Sequence, residues 1–238
     1  MNSERMKKYL ISSFIFSLTF LLGIISLILL FNYYTPKKIF TRLSQTILEV
    51  KAYTLSNVSY GTAIVIEDNL LVTNFHVISY NSENETLIYE SILVRSCFEN
   101  EYQNYTLKFK DEINDIAILE SLNSHPSSYK QIKYSNKKVS PGDICYAIGN
   151  ANNLGIGITK GSIVNASIII EISSNDRKMI QSDITITSGS SGGALLNKYG
   201  ELLGITTLKL KDGFGDIIEG YVYSIPISIV INFLHSQN

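Results

Sequence analysis

Apolar and polar positions are distributed in two different ways along the chain. From Leu10 to Phe31 the sequence reads "LISSFIFSLTFLLGIISLILLF", 22 residues without a charge. At about 1.5 Å per residue such a helix crosses a hydrocarbon layer of about 30 Å. After residue 44 the pattern changes to short runs rich in Ile, Val, Thr and Tyr: "TILEVKAYTL", "GTAIVIEDNLLVTNF", "SILVRSCF", "YTLKFK", "DIAILE", "DICYAIGN", "GSIVNASIII", "GELLGITTLKL" and "EGYVYSIPI". Gly, Asn, Asp or Pro separates them, which predicts strands joined by turns. No helical pattern intervenes, so an antiparallel barrel or sandwich is expected. One helix is expected at the end, where "SIPISIVINFLHSQN" sets Pro226 near a first turn and puts apolar residues at Ile227, Ile229, Val230 and Phe233.

The apolar run follows Arg5, Lys7 and Lys8 and is longer than the roughly 7–15 residues of a cleaved signal's apolar core. No small-residue cleavage site follows in "NYYTPKK", so an uncleaved signal anchor is favoured over a cleaved peptide. The expected organisation is a basic N-terminus (1–9), a transmembrane anchor (10–31), a polar linker (32–44) and one soluble domain (45–238). Lys37, Lys38 and Arg42 match the upstream charges in number, so the positive-inside rule nearly cancels. The domain is placed outside the cytoplasm, on the periplasmic or cell-surface side.

Charge changes the picture little. Residues 1–44 carry six Lys/Arg against Glu4, leaving 14 basic and 20 acidic residues beyond them, a net of about −6. No basic stripe runs through that body to hold phosphates, so no nucleic-acid partner is expected. Cys97 and Cys145 stand far apart with no His or Cys at ligand spacing, so no metal is expected. Both lie in apolar strand-like runs and are read as buried free thiols, with a disulfide left as the alternative.

Nucleophilic hydrolysis needs a hydroxyl or thiol, a base, and a group that orients the base. His76, His125 and His235 are the candidate bases. His125 lies in a polar turn-like segment and His235 near the C-terminus, whereas His76 ends a strand run in "LLVTNFHVI". Taken alone, His76 reads first as a satisfied core or edge residue. Asp115 in "NDIAILE" leads into an apolar run and reads first as a strand cap. "TITSGSSGGALL" packs Gly189, Gly192 and Gly193 around Ser190 and Ser191, either a flexible loop or a tight turn that exposes a hydroxyl beside backbone N–H groups.

Together these stretches resemble the HtrA (Do/Deg) family of trypsin-fold serine peptidases. "LLVTNFHV" is similar to a strand leading to T-N-x-H-V, "NDIAIL" to S-D-I-A-L-L, and "PGDICYAIGN" to G-x-x-V-x-A-I-G-N. "SDITITSGSSGGALLNKYGELLGI" is similar to the block around G-N-S-G-G, and "YSIPI" to F-A-I-P. The chain order His, Asp, Ser is the trypsin-type order. The similarity covers roughly 46–234 and implies an all-β fold: a trypsin/chymotrypsin-like double six-stranded antiparallel barrel with a short C-terminal helix, after one N-terminal transmembrane helix.

The resemblance implies Ser191 as nucleophile, His76 as general base and Asp115 as its orienting acid. The amides of Gly189 and Ser191, helped by Ser190, would form the oxyanion hole, with no cofactor. A protein or peptide substrate follows, and the family's usual assembly is a homotrimer. Ser190 stands where the family has Asn, and Thr187 and Ser188 where it commonly has Asn and Pro. Thr185 occupies the position where trypsin-type enzymes that cut after Lys or Arg carry an acid, so a basic side chain there would be desolvated without a partner. Ile186 and Leu210 suggest a modest apolar pocket, with Lys209 near it. The family usually carries PDZ domains after the protease domain, and the sequence runs only 12 residues past Pro226, so no peptide-sensing module is expected. A latent scaffold of the same fold and a β-sandwich adhesion module are the alternatives. Gly193 is expected to resist a β-branched replacement if its φ is positive.

Overall fold

The computed structural model describes residues 3–83, 85–123, 129–172, 174–208 and 220–237. The chain divides into two units, Met1–Ile39 and Phe40–Asn238. The first is dominated by helix α1 (Ser3–Tyr33), in which Glu4–Leu30 has a mean hydropathy of 2.5 and is long and apolar enough to cross a membrane. Its large apolar side chains, such as Phe14, Phe16 and Leu27, are exposed along the helix. The stretch expected as a linker instead holds a second helix, α2 (Pro36–Leu43), opened by a proline whose fixed φ suits a first turn.

The second unit contains two closed barrels. Strands β1 (Ile47–Tyr53), β2 (Val58–Glu67) and β3 (Leu70–Thr73) are followed by a small hairpin, β4 (Ser79–Ser82) and β5 (Glu85–Ile88). Strands β6 (Ser91–Arg95), β7 (Gln103–Asp111) and β8 (Ile116–Ser121) then close the first barrel in the order β1-β2-β3-β8-β7-β6. Leu48, Val50, Ala63, Val65, Leu71, Val94, Ala117 and Leu119 fill its interior. Strand alternation sends Ile64, Ile66, Val72, Ile116 and Ile118 outward, yet these are also buried. Two buried faces are what a wall shared with a second barrel requires, and they explain why β3 and β8 read as unbroken apolar runs.

Strands β9 (Ile144–Asn150), β10 (Ile156–Ile172), β11 (Asn175–Ser182), β12 (Ala194–Asn197), β13 (Leu202–Leu208) and β14 (Val222–Pro226) form the second barrel in the order β10-β11-β14-β13-β12-β9. Cys145, Ala147, Ile163, Ile180, Leu195, Leu203 and Val222 pack inside it. Residues 129–135 bridge the barrels: the Ile132 amide donates to Val65 at 3.0 Å, and the Ser135 amide to Leu202 at 2.9 Å. Helix α3 (Ile227–His235) closes the chain with Ile227, Val230 and Leu234 buried.

Neither cysteine is paired. Cys145 is buried on β9 as expected, but Cys97 is only half-buried, because it lies in the turn after β6 rather than in the strand. Burial pushes the Cys145 thiol up from 9.0 to about 12, with the charge of Asp183 adding to the shift. Folding thus favours the neutral thiol; that contribution is intact below 9.0 and lost as pH rises toward about 12. Maleimide labelling of the native chain at mildly alkaline pH should modify Cys97 and spare Cys145 until denaturant is added. Equal labelling rates for the two would contradict this packing.

Candidate active site

Strand β3 delivers the imidazole. Its four residues are buried, and the chain then turns through a short 3-10 segment, Phe75–Val77, with Phe75 and Val77 packed inward. Their inward packing throws His76 out, and its side chain is 50% exposed. Asp115 arrives from the β7–β8 turn in a left-handed conformation, φ 59°, which aspartate tolerates better than most residues. Its carboxylate is buried and accepts three hydrogen bonds. The His76 amide donates to Oδ1 at 2.9 Å, and His76 Nδ1 and the Thr207 hydroxyl donate to Oδ2 at 2.8 and 2.7 Å. Because the carboxylate accepts from Nδ1, the neutral ring keeps its lone pair on Nε2.

The turn before β12 delivers Ser191. The Ser190 amide donates to the Thr187 carbonyl at 3.0 Å and the Gly193 amide to that of Ser190, also at 3.0 Å. Ser190 N–H is thereby spent inside the turn, which removes it from the three oxyanion donors expected from the sequence. The amides of Gly189 and Ser191 have no acceptor among the described residues. The Ser188 carbonyl is held by the Asn152 amide at 2.7 Å. Across a planar trans peptide this turns the Gly189 N–H away from Asn152. The Ser191 hydroxyl donates to the Thr207 carbonyl at 3.0 Å, and no hydrogen bond joins it to His76 among the described residues.

Three residues passed over in the sequence stitch the two barrels at this point. Asn74 is fully buried; its Nδ2 donates to the Asp115 carbonyl at 3.0 Å, and its Oδ1 accepts the Gly192 amide at 2.7 Å. The Thr62 hydroxyl donates to the Gly189 carbonyl at 2.9 Å and accepts the Asn150 amide at 2.9 Å. Thr207 holds the Asp115 carboxylate with its hydroxyl and the Ser191 hydroxyl with its carbonyl. The signals available were slight: Asn74 within "TNFHV", and buried threonines inside apolar strands.

Behind the turn lies a cavity of about 190 Å³, lined by Ala147, Ile158, Thr185, Ile186, Thr206 and neighbouring residues, none of them charged. Thr185 and Ile186 line this cavity together with Ala147 on β9 and Ile158 on β10, two residues that the sequence reading did not single out. Lys209 and Leu210 fall outside the described residues, as does His125. His235 ends α3 and is exposed. Among the described residues no group of three or more His, Cys, Asp or Glu is arranged to hold a metal ion.

A closed two-barrel fold with His, Asp and Ser converging at the seam defines a class, and sequence comparison agrees with it. The profile of the trypsin-like peptidase domain matches residues 61–205, and the chain belongs to that family. It is homologous to the HtrA proteases: it is 32% identical over 182 residues to the serine endoprotease DegS of Haemophilus influenzae, covering 76% of this chain and 50% of that protein. It is also 32% identical over 173 residues to the periplasmic serine endoprotease DegP of Escherichia coli, covering 72% of this chain and 34% of that one. A crystal structure of the serine endoprotease from Yersinia pestis superposes with a TM-score of 0.67 at 27% identity, covering 85% of this chain and 66% of that one. The chain thus spans half the length or less of the two sequence relatives.

The glycines of the turn carry different constraints. Gly189 and Gly192 have φ of 87° and 82°, whereas Gly193 does not lie in that left-handed region. Gly193 is fixed by space instead: an added Cβ would come within 2.6 Å of the Ile148 carbonyl and 2.8 Å of that of Ser190. At Gly192 a Cβ would run into the Thr62 carbonyl and the Thr73 hydroxyl, on top of the unfavourable φ. Gly192→Ala should therefore destabilise the fold by about 2–4 kcal/mol, visible as a lowered denaturant midpoint. An unchanged midpoint would contradict the close approach of β2 to the turn.

Proposed function

We propose that the protein is a membrane-tethered serine endopeptidase that cuts unfolded or exposed segments of other proteins. Ser191 is the nucleophile, His76 the general base and Asp115 its orienting acid. The observation that carries this reading is the double grip of Thr207: its hydroxyl lies 2.7 Å from the carboxylate that holds His76, and its carbonyl 3.0 Å from the Ser191 hydroxyl. For reaction, Ser191 Oγ swings from that carbonyl toward His76 Nε2, gives up its proton and attacks the peptide carbonyl. The developing oxyanion is met by the amides of Gly189 and Ser191, which have no acceptor among the described residues. His76, now protonated and stabilised by Asp115, returns the proton to the departing amine, and water repeats the cycle on the acyl-enzyme.

The uncharged cavity supports a preference for small to medium apolar residues, such as Val, Ala or Ile, before the cut. A Lys or Arg there would lose its hydration with no carboxylate to replace it. The long apolar helix supports tethering, and the periplasmic DegP supports an extracytoplasmic protease domain. The homotrimer implied by the resemblance belongs to the same reading. One observation favours a second reading, a latent enzyme or scaffold: the Ser191 hydroxyl rests on Thr207 rather than on His76.

Treatment of the full chain with a fluorophosphonate probe separates the two. Adduct formation on Ser191, lost in Ser191→Ala and His76→Ala, is the expected result; Asp115→Asn should slow it by about 10⁴-fold. An unlabelled but folded chain would favour the latent reading. On peptide mixtures, cleavage after Val or Ala should exceed cleavage after Lys or Arg by at least about tenfold; a basic preference would refute the pocket assignment.

A further inference from the structure

Strands β9, β12 and β13 run between two ends of the second barrel. One end carries Asn150, the turn that leads into Ala194, and Thr207; the other carries Ile144, Asn197 and Leu202. At about 3.3 Å per residue, β9 sets these ends about 20 Å apart. At the end away from Ser191, two clefts of about 400 and 390 Å³ share Ser135, Lys137, Lys138, Val139 and Leu203. Lys198 and Tyr199 complete the first cleft, and Lys178 lines the second. Nζ of Lys137 and of Lys198 lies 5.1 and 5.2 Å from the centre of the Tyr199 ring.

All four lysines are exposed, and none forms an ion pair among the described residues. Two carboxylates lie nearby, Asp143, which accepts the Ser140 amide, and Glu201, which accepts Asn197 Nδ2, and neither is paired with one of these lysines among the described residues. Residues 121–142 carry four lysines and no acid, within a domain that is acidic overall. Arg42 adds a cation at the same place, donating Nη2 to the Tyr199 carbonyl at 2.8 Å. In the sequence Arg42 follows Tyr33, the last residue of the apolar helix, by only nine positions. Basic residues that close to a membrane span are drawn to anionic headgroups, at a distance set by the Debye length.

We infer that this end of the second barrel, with Arg42, Lys137, Lys138 and Lys198 around Tyr199, docks on an anionic lipid surface. Docked this way, the barrel holds the seam that carries Ser191 at its opposite end. The cleft then opens away from the bilayer, toward protein segments that stand clear of it. The inference rests on the proposed membrane anchor.

The sequence contains no tryptophan, so Tyr199→Trp supplies a single fluorescence donor. The full chain carrying it is placed in vesicles of phosphatidylcholine, with or without about one third phosphatidylglycerol, each doped with a dansyl headgroup lipid. Energy transfer should be about twofold higher in the anionic vesicles and fall to the neutral value in about 1 M salt, where the Debye length is about 3 Å. Lys137→Glu, Lys138→Glu and Lys198→Glu together should abolish the difference, while the chain still floats with the vesicles and its fluorophosphonate reactivity is unchanged. Flotation with equal transfer in the two lipids would overturn docking and leave the anchor standing. A chain that floats with neither lipid would overturn both. Equal transfer together with a fluorescence change on adding poly-glutamate would give the face to an acidic protein segment instead.

Discussion

A single buried carboxylate organises the seam between the barrels. Removing an aspartate from water is costly unless hydrogen bonds replace its hydration, and a half-satisfied site costs more than an apolar one. The three donors that Asp115 receives come from both sides: two from His76 after β3 and one from Thr207 on β13. All three donors are in place only when the two barrels sit in register.

Around that carboxylate the polar links form a chain. Asn74 ties the Asp115 carbonyl to the Gly192 amide, and Thr62 ties the Gly189 carbonyl to the Asn150 amide. Each is a buried polar side chain whose partners lie on other elements, so losing one leaves another group unpaired. The turn that carries Ser191 is held from three directions, by β2, by the 150–153 loop and by β13, while the amides of Gly189 and Ser191 have no acceptor among the described residues. Holding a turn rigid while leaving two donors free is how a site is prepared for negative charge on a ligand. An uncharged cavity lies beside this turn, and exposed lysines line the clefts at the far end of β9.

Much of the fold was legible in the sequence because strand alternation, turn residues and a long uncharged apolar run are local signals. The runs ending at Thr73 and beginning at Ile116 were continuous rather than alternating, since both faces are buried, one in the barrel and one against its neighbour. His76, Asp115 and Ser191 stood out through the short motifs around them. Thr207, Thr62 and Asn74 did not, because a buried threonine in a strand looks the same whether it fills space or holds a carboxylate. The helix at 36–43 was hidden by the polar residues that made it read as a linker.

The sequence by itself determined the apolar helix, the succession of strands, the tight glycine turn and the residue types available for chemistry, all properties of neighbours along the chain. Only the tertiary structure decided that His76 and Ser191, more than a hundred residues apart, both meet Thr207's surroundings, that Ser190 spends its amide inside the turn, and that Gly193 is limited by space rather than by φ. The reason is distance in sequence: hydrogen bonds across the seam depend on how two barrels pack, and no local pattern encodes that packing. The same holds for the lysines at 137, 138, 178 and 198, which line two adjoining clefts only when β9, β11, β12 and β13 align.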